Sequence, residues 1–256
     1  MKVMVLGHLG MLGRAVHKYL TNKGVNVDCA SDARYPQDKF IKVVKEYSGD
    51  FIVNCIGAIP QRTNDFSVNY KLPEFLSSTG KKIVHPDTDC IFEGDSFGGY
   101  SKRDAPDAKS EYGQSKARVL TVTGEETKVI RSCIIGFDDQ QKSLMSWFLS
   151  SQERVFGFTN HYMNCITTHQ WAKICLDMCL NWDSQERVVQ VGTKCMSKYY
   201  LLKVIKSVFN KDIEIIPHEH EIRIHRCLKT DIKLPCIRSQ LEEFKEFIEY
   251  KNAIHD

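Results

Sequence analysis

The chain has 256 residues, 42% hydrophobic and 26% charged, which suits one large or two modest globular domains with a substantial core. Its 35 basic and 32 acidic residues leave a net charge of +3. That near-balance provides no electrostatic footprint for nucleic acid or an anionic membrane surface.

The first apolar run, KVMVL (2–6), reads as a strand that breaks at Gly7. The surrounding MKVMVLGHLGMLG has too short an apolar stretch for a secretory leader. No run approaches the ~20 apolar residues that span a bilayer, so a cytoplasmic protein is expected. LGRAVHKYLTNKG has helical spacing and ends at Gly24. VNVDCA (25–30) is a second strand, FIKVVKEY (40–47) a helix and FIVNCIG (51–57) a third strand. NYKLPEFLSSTG is helical, KKIVH (81–85) is a fourth strand, and KVIRSCIIG (128–136) and RVVQVGT (187–193) are later ones. Short continuous apolar runs alternating with helices predict an α/β fold, a doubly wound parallel sheet of Rossmann type. The less regular remainder predicts a smaller C-terminal lobe. The expected division is 1–136 for the cofactor domain and 137–256 for the substrate-binding part, with 166–193 returning to the first.

The ten cysteines are scattered, without a C-x-x-C, and are read as reduced, mostly buried thiols rather than metal ligands. The stretch HEHEIRIH (218–225) offers His218, His220 and His225, but not in a metalloprotease register; its alternation reads as a solvated edge strand. No metal site is expected. SLMSWFLSS around Trp147 reads as helix core. LEEFKEFIEYKNAIHD (241–256) reads as an amphipathic helix with Leu241, Phe244, Phe247 and Ile248 inward.

Gly7, Gly10 and Gly13 form G-x-x-G-x-x-G between the first strand and first helix. A tight βα turn needs permissive backbone, and a pyrophosphate needs close approach to free N–H groups at a helix N-terminus. Met11 and Leu12 complete that turn. Asp32 follows Gly13 by about 20 residues, the distance of an acidic group that reads the ribose 2′-hydroxyl of NAD. Arg34 is placed to meet the 2′-phosphate of NADP instead, and the sequence leaves both open.

Tyr112 and Lys116, in SEYGQSKARVL, stand at i,i+4 on one helix face. Tyr35/Lys39 and Tyr199/Lys203 share the spacing, and chance alone supplies about one such pair. Context separates them. Only Tyr112 follows a strand that ends in a hydroxyl residue, Thr88. A cation about 5 Å from the phenol, at an effective dielectric of about 20, is worth roughly 3 kcal/mol, and would lower its pKa by around two units. Lys116 would also be free to hold a cofactor ribose.

The ordered pieces GHLGMLGRAV, FIVNCIGAIPQ, VNYKLPEFL, DTDCIFEG, EYGQSKARVL, IRSCIIG, SLMSWFLS and TNHYMNCITT resemble the extended short-chain dehydrogenases/reductases of the dTDP-4-dehydrorhamnose reductase type. The resemblance implies a catalytic set of Thr88, Tyr112 and Lys116, with NADP or NAD as hydride donor. It implies further cofactor contacts from Cys55, Ile56 and Gly57 and from Asn69. The implied substrate is a dTDP- or UDP-linked 4-keto-6-deoxy sugar, reduced at C4. No nucleic acid or membrane partner is expected; a second copy in a homodimer is an option. Asp87 stands where relatives have Ser, Pro86 is unusual in an interior strand, and Cys165 replaces Gly. A charge at Asp87 is expected to disturb how Thr88 holds a carbonyl. Two alternatives share the pattern: a nucleotide-sugar epimerase, and a non-catalytic regulatory subunit that binds a cofactor. The sequence TDC, with Cys90 after Asp89, lacks the acidic pair of a 4,6-dehydratase.

Overall fold

The first strand is apolar along its length because both of its faces are covered. In this computed structural model, which describes residues 1–30, 32–96 and 98–249, β1 (Lys2–Leu6) sends Val3 and Val5 into one core and Met4 and Leu6 into another. An extended chain alternates its side chains between faces, so a buried strand needs apolar residues at every position. Next come α1 (Met11–Asn22), β2 (Asn26–Cys29), α2 (Asp38–Glu46), β3 (Phe51–Asn54), α3 (Val68–Ser78) and β4 (Lys82–Asp87). A turn of 3-10 helix, Asp89–Ile91, precedes α4 (Glu111–Ala117), α5 (Val119–Val122) and β5 (Thr127–Arg131). Then follow β6 (Ile134–Ile135), α6 (Leu144–Ser150), β7 (Arg154–Phe158), β8 (His161–Met163), β9 (Ile166–Thr167), α7 (Thr168–Leu180) and β10 (Val188–Gln190). The last elements are β11 (Met196–Ser197), α8 (Lys198–Val208), β12 (Glu214–His218), β13 (Ile224–His225) and α9 (Ile237–Glu249). The expected helix beyond Glu249 lies outside the described residues.

Six strands form one sheet in the order β10-β5-β4-β3-β1-β2, all parallel. One face is covered by α1 and α7 through Leu12, Val16, Leu20, Trp171 and Cys175. The other is covered by α2 and α3 through Phe40, Val44, Leu72 and Leu76. β1 lies between β2 and β3, so the winding reverses there. The crevice outside the carboxyl ends at such a reversal is where open α/β sheets take ligands. α7 and β10 pack with this sheet, whereas α6, α8 and α9 share a separate core of Phe148, Leu201, Ile205, Leu241 and Phe244.

Pro86 does lie in an interior strand, opposite Ile130 of β5. The neighbouring geometry makes it tolerable. Ile83 N–H points to β5, donating to Glu126 O, so by alternation the N–H that Pro86 lacks would face β3. Pairing of β3 with β4 stops at Val53 and Val84, so the ladder has already ended where that N–H would stand.

Several expectations change. Cys195 and Cys227 form a disulfide, so the cysteines are not all reduced. HEHEIRIH is not one edge strand: β12 ends at His218, and β13 begins at Ile224. Trp147 is 41% exposed and so is not core. Cys165 is fully buried in the lobe core. Among the described residues no helix is long and apolar enough to cross a membrane.

Candidate active site

The glycine turn is dictated by close contact. Gly7 has φ +74°, in the region that favours glycine, and a Cβ there would lie 2.9 Å from Ile56 Cγ1. A Cβ on Gly13 would lie 2.0 Å from Gly7 O, so α1 can start this close to β1 only with glycine at that position. Gly10 N–H closes the turn on Gly7 O at 2.9 Å. Gly10 caps α1 without a side-chain bond, and the first turn carries no acidic residue, which keeps its N–H groups and positive end open to an anion. Met11 is half-buried and Leu12 is core, so only their backbone serves this turn.

The end of β3 forms the opposite wall. Asn54 Oδ1 accepts from Ile56 N–H at 3.0 Å and shapes the Cys55–Ile56–Gly57 turn. Asn69, buried, accepts from Ala58 N–H at 2.7 Å and donates to Ala58 O and to Ser115 Oγ at 3.0 Å. It therefore fastens the β3 loop to α4. Asp32 and Arg34 lie on the exposed segment beyond β2, and the structure favours neither.

At the end of β4, Thr88 caps the Asp89–Ile91 turn by accepting from Cys90 N–H at 3.2 Å, and its hydroxyl donates to Asp89 Oδ1 at 3.2 Å. The Thr88 hydroxyl lies close enough to the Tyr112 phenol to act on its protonation, favouring the charged form. This approach depends on Gly113, a residue with no signal in the sequence pattern: a Cβ there would lie 2.3 Å from Cys90 O. Ser110 caps α4 by accepting from Gly113 N–H. The other two Tyr/Lys pairs are packing. Tyr35 meets Phe40 and Phe75, and Tyr199 lies over Gly157.

The electrostatics differ from the sequence expectation. Burial raises the Tyr112 phenol well above its ordinary value, reinforced by Cys90 and Asp89. Lys116 does not lower it: burial pushes the Lys116 ammonium down, and its Nζ donates to Pro86 O at 2.8 Å rather than standing free. His85 sits behind it, with Nε2 at 3.5 Å from Lys116 Nζ. Since Asn54 Oδ1 is already an acceptor, its amide donates to His85 Nδ1 at 3.0 Å, placing the imidazole proton on Nε2. Burial and the Lys116 charge hold His85 neutral. Burial also raises Asp89, opposed by the Arg226 charge, and pushes the Cys90 thiol up to about 12. Asp87 does not disturb Thr88 as a loose charge. It pairs with buried Arg131 at 2.7 Å and accepts from Thr88 N–H at 2.8 Å. Arg131 in turn reaches Gln190.

Next to this cluster lies a cavity of about 350 Å³, lined by Gln61, Cys133, Met163, Lys198 and the exposed Trp147. Cys133 is near enough to Asp89 and Cys90 to feel their charges. A larger groove of about 600 Å³, between α1, Phe137 and α9, is lined in part by His8, Leu9 and Met11 of the glycine turn.

The family model described as the RmlD substrate binding domain matches residues 1–188. The chain belongs to that family. The resemblance carried by the motifs therefore holds at family level, and the sheet has the RmlD fold. A dTDP-4-dehydrorhamnose reductase from Bacillus anthracis, in complex with NADP, superposes with a TM-score of 0.81 at 18% identity, covering 97% of this chain and 99% of that one. A dTDP-4-dehydrorhamnose reductase from Clostridium acetobutylicum gives 0.78 at 19% identity, covering 97% of this chain and 100% of that one. Among curated proteins, methionine adenosyltransferase 2 subunit beta from Danio rerio is 24% identical over 298 aligned positions, covering 100% of this chain and 89% of that protein.

Proposed function

We propose that the chain is a nicotinamide-dependent reductase that converts the C4 ketone of a dTDP- or UDP-linked 4-keto-6-deoxy sugar to an alcohol. The observation that carries this is Tyr112 held against Thr88 at the end of β4, with Lys116 one turn on, beside the open glycine turn. NADP or NAD fits that turn. Gly7, Gly10 and Gly13 admit a pyrophosphate against the start of α1, and the likeness to an NADP-bound reductase supports the choice.

When bound, the nicotinamide supplies the hydride that reduces C4. The chain supplies the rest. Asp89 accepts from the Thr88 hydroxyl; to meet the carbonyl oxygen as charge develops on it, Thr88 turns that one proton from Asp89 to the substrate. The Tyr112 phenol gives that oxygen its proton. Its raised pKa keeps it protonated through the neutral range, the state from which a reduction starts. An epimerase would begin by withdrawing a proton and would need the phenolate. Lys116, fixed by its bond to Pro86 O, holds a donor beside the cofactor position. Trp147 and Lys198 offer the adjoining cavity a flat apolar face and a cation for the nucleotide portion.

The test is oxidation of NADPH and of NADH with a 4-keto-6-deoxy nucleotide sugar made in situ. Wild type should turn over, and Tyr112→Phe should lose about 10²–10⁴-fold in kcat while retaining dinucleotide binding. A second reading, a cofactor-binding subunit of another enzyme, is favoured by the match along the entire chain to a protein named as a subunit. Dinucleotide binding without turnover on either nucleotide series would select it.

A further inference from the structure

Away from Thr88 and Tyr112, two distant stretches bring together a second cluster of reactive groups. Cys195 stands just before β11; His225 ends β13, and Cys227 follows two residues later. β8 runs between β11 and β13. Past its end at Met163, the flanking chains close over Asn164, whose side chain accepts from Leu228 N–H at 2.9 Å and donates to Leu228 O at 2.8 Å. Thr193 N–H donates to Asn164 O from the other side. Here Cys195 and Cys227 are joined, their Cα atoms 5.7 Å apart. His225 Nε2 lies 3.5 Å from Cys195 Sγ, and its Nδ1 is buried with no hydrogen-bond partner. The ligand atoms of all three residues lie within 4.8 Å of one another.

Cysteines that look scattered in the sequence, where no metal site is expected, are here gathered with a histidine by the fold. Residues i and i+2 of an extended chain face the same way, so the backbone aims His225 and Cys227 together. Asn164 holds the strand that brings Cys195 to them. Two thiolates and an imidazole are soft and borderline donors, which suit Zn²⁺ and not Mg²⁺ or Ca²⁺. Zn–S bonds of about 2.3 Å in a tetrahedron place two sulfurs about 3.8 Å apart, a small opening from the bonded pair.

We propose that the reduced protein binds one Zn²⁺ through Cys195, His225 and Cys227, with water as the fourth ligand. A dithiol reductant gives two electrons and two protons to the Cys195–Cys227 bond and is itself oxidised to a disulfide. Zn²⁺ then displaces the two thiol protons to solvent. Disulfide and metal are alternative states of one site. Both brace Arg226, which lies between the two ligands. Its guanidinium donates to Phe92 O at 2.9 Å and Glu93 O at 3.2 Å, just beyond the Thr88 turn.

The experiment titrates Co²⁺, then Zn²⁺, into protein reduced and freed of reductant without oxygen. One equivalent of Co²⁺ should produce thiolate-to-metal charge-transfer absorption and the intense visible bands of a tetrahedral site, and Zn²⁺ should bleach both. The oxidised wild type has the same fold and should give neither. Cys227→Ser and His225→Asn should weaken binding at least about 100-fold, the upper end for losing a mere supporting partner. Cys236→Ser, at an exposed thiol outside the cluster, should leave it unchanged. A signal equal in oxidised and reduced protein, one that survives Cys227→Ser, or no charge-transfer band on reduction would each overturn the proposal.

Discussion

In the sheet half of the molecule, Val3, Val5, Val53, Val84 and Ile130 stack across neighbouring parallel strands, and α1 and α7 lie on them. In the C-terminal lobe, strands of two to five residues form sheets of two or three strands, tied by Asn164, Arg226 and the Cys195–Cys227 link. The first half positions chemistry through backbone contact: glycines at 7, 13 and 113 leave no room for a methyl group. The second positions a cavity wall through side-chain bonds and long loops. Shape tolerance is therefore low at the glycine turn and higher in the C-terminal lobe, where relatives of one fold can differ.

The comparison can be broken most forcefully at Arg131. Arg131→Met leaves Asp87 as an uncompensated charge in the sheet, and urea unfolding should show a loss of about 3–5 kcal/mol. A loss below 1 kcal/mol would mean that the pair does not hold β4 to β5. The joint between the halves should respond to acid. His169 of α7 stacks on Phe247 of α9 at 4.2 Å, and burial pushes its pKa down to about 4. The unfolded chain, near 6.5, binds the proton first, so stability is complete above that pH and falls as pH drops from 6.5 to 4. The ceiling on this loss is about 3 kcal/mol. His169→Gln should flatten the slope of stability against pH in that window; an unchanged slope would assign the acid sensitivity to other groups. Gly13→Ala should cost about 1–3 kcal/mol through overpacking and weaken NAD(P)H binding, read by fluorescence titration, about tenfold or more. Gly113→Ala should weaken that binding less and lower kcat more, because it moves α4, with Tyr112 and Lys116, away from the Thr88 turn. Equal effects of the two alanines on binding would dissolve the distinction.

The parts that were legible in the sequence are those set by near neighbours. Apolar runs flanked by glycine mark strands buried on both faces, and the spacing of Gly7, Gly10 and Gly13 reports a turn whose strain is local. Tyr112 and Lys116 share a helix face by arithmetic. What was not legible depends on residues far apart in the chain. The phenol shift follows from burial and from the charges at Asp89 and Cys90, not from the i,i+4 lysine that the sequence displays. Asp87 looked like a loose charge because Arg131 lies on another strand. Gly113 had no pattern to mark it, since the atom it must avoid is Cys90 O. Trp147 lies in an amphipathic run whose wet side only the fold defines, and Cys195 meets Cys227 only after β8 has brought their strands together.

The central claim is that hydride reaches C4 of a nucleotide-linked keto sugar. The direct measurement uses nicotinamide cofactor deuterated at its C4, with the product sugar read by mass and by NMR. The account predicts one deuterium per product, located at sugar C4, with transfer collapsing in Tyr112→Phe. Bound cofactor that transfers no deuterium to dTDP- or UDP-linked 4-keto-6-deoxy sugars would contradict it and leave the subunit reading in its place.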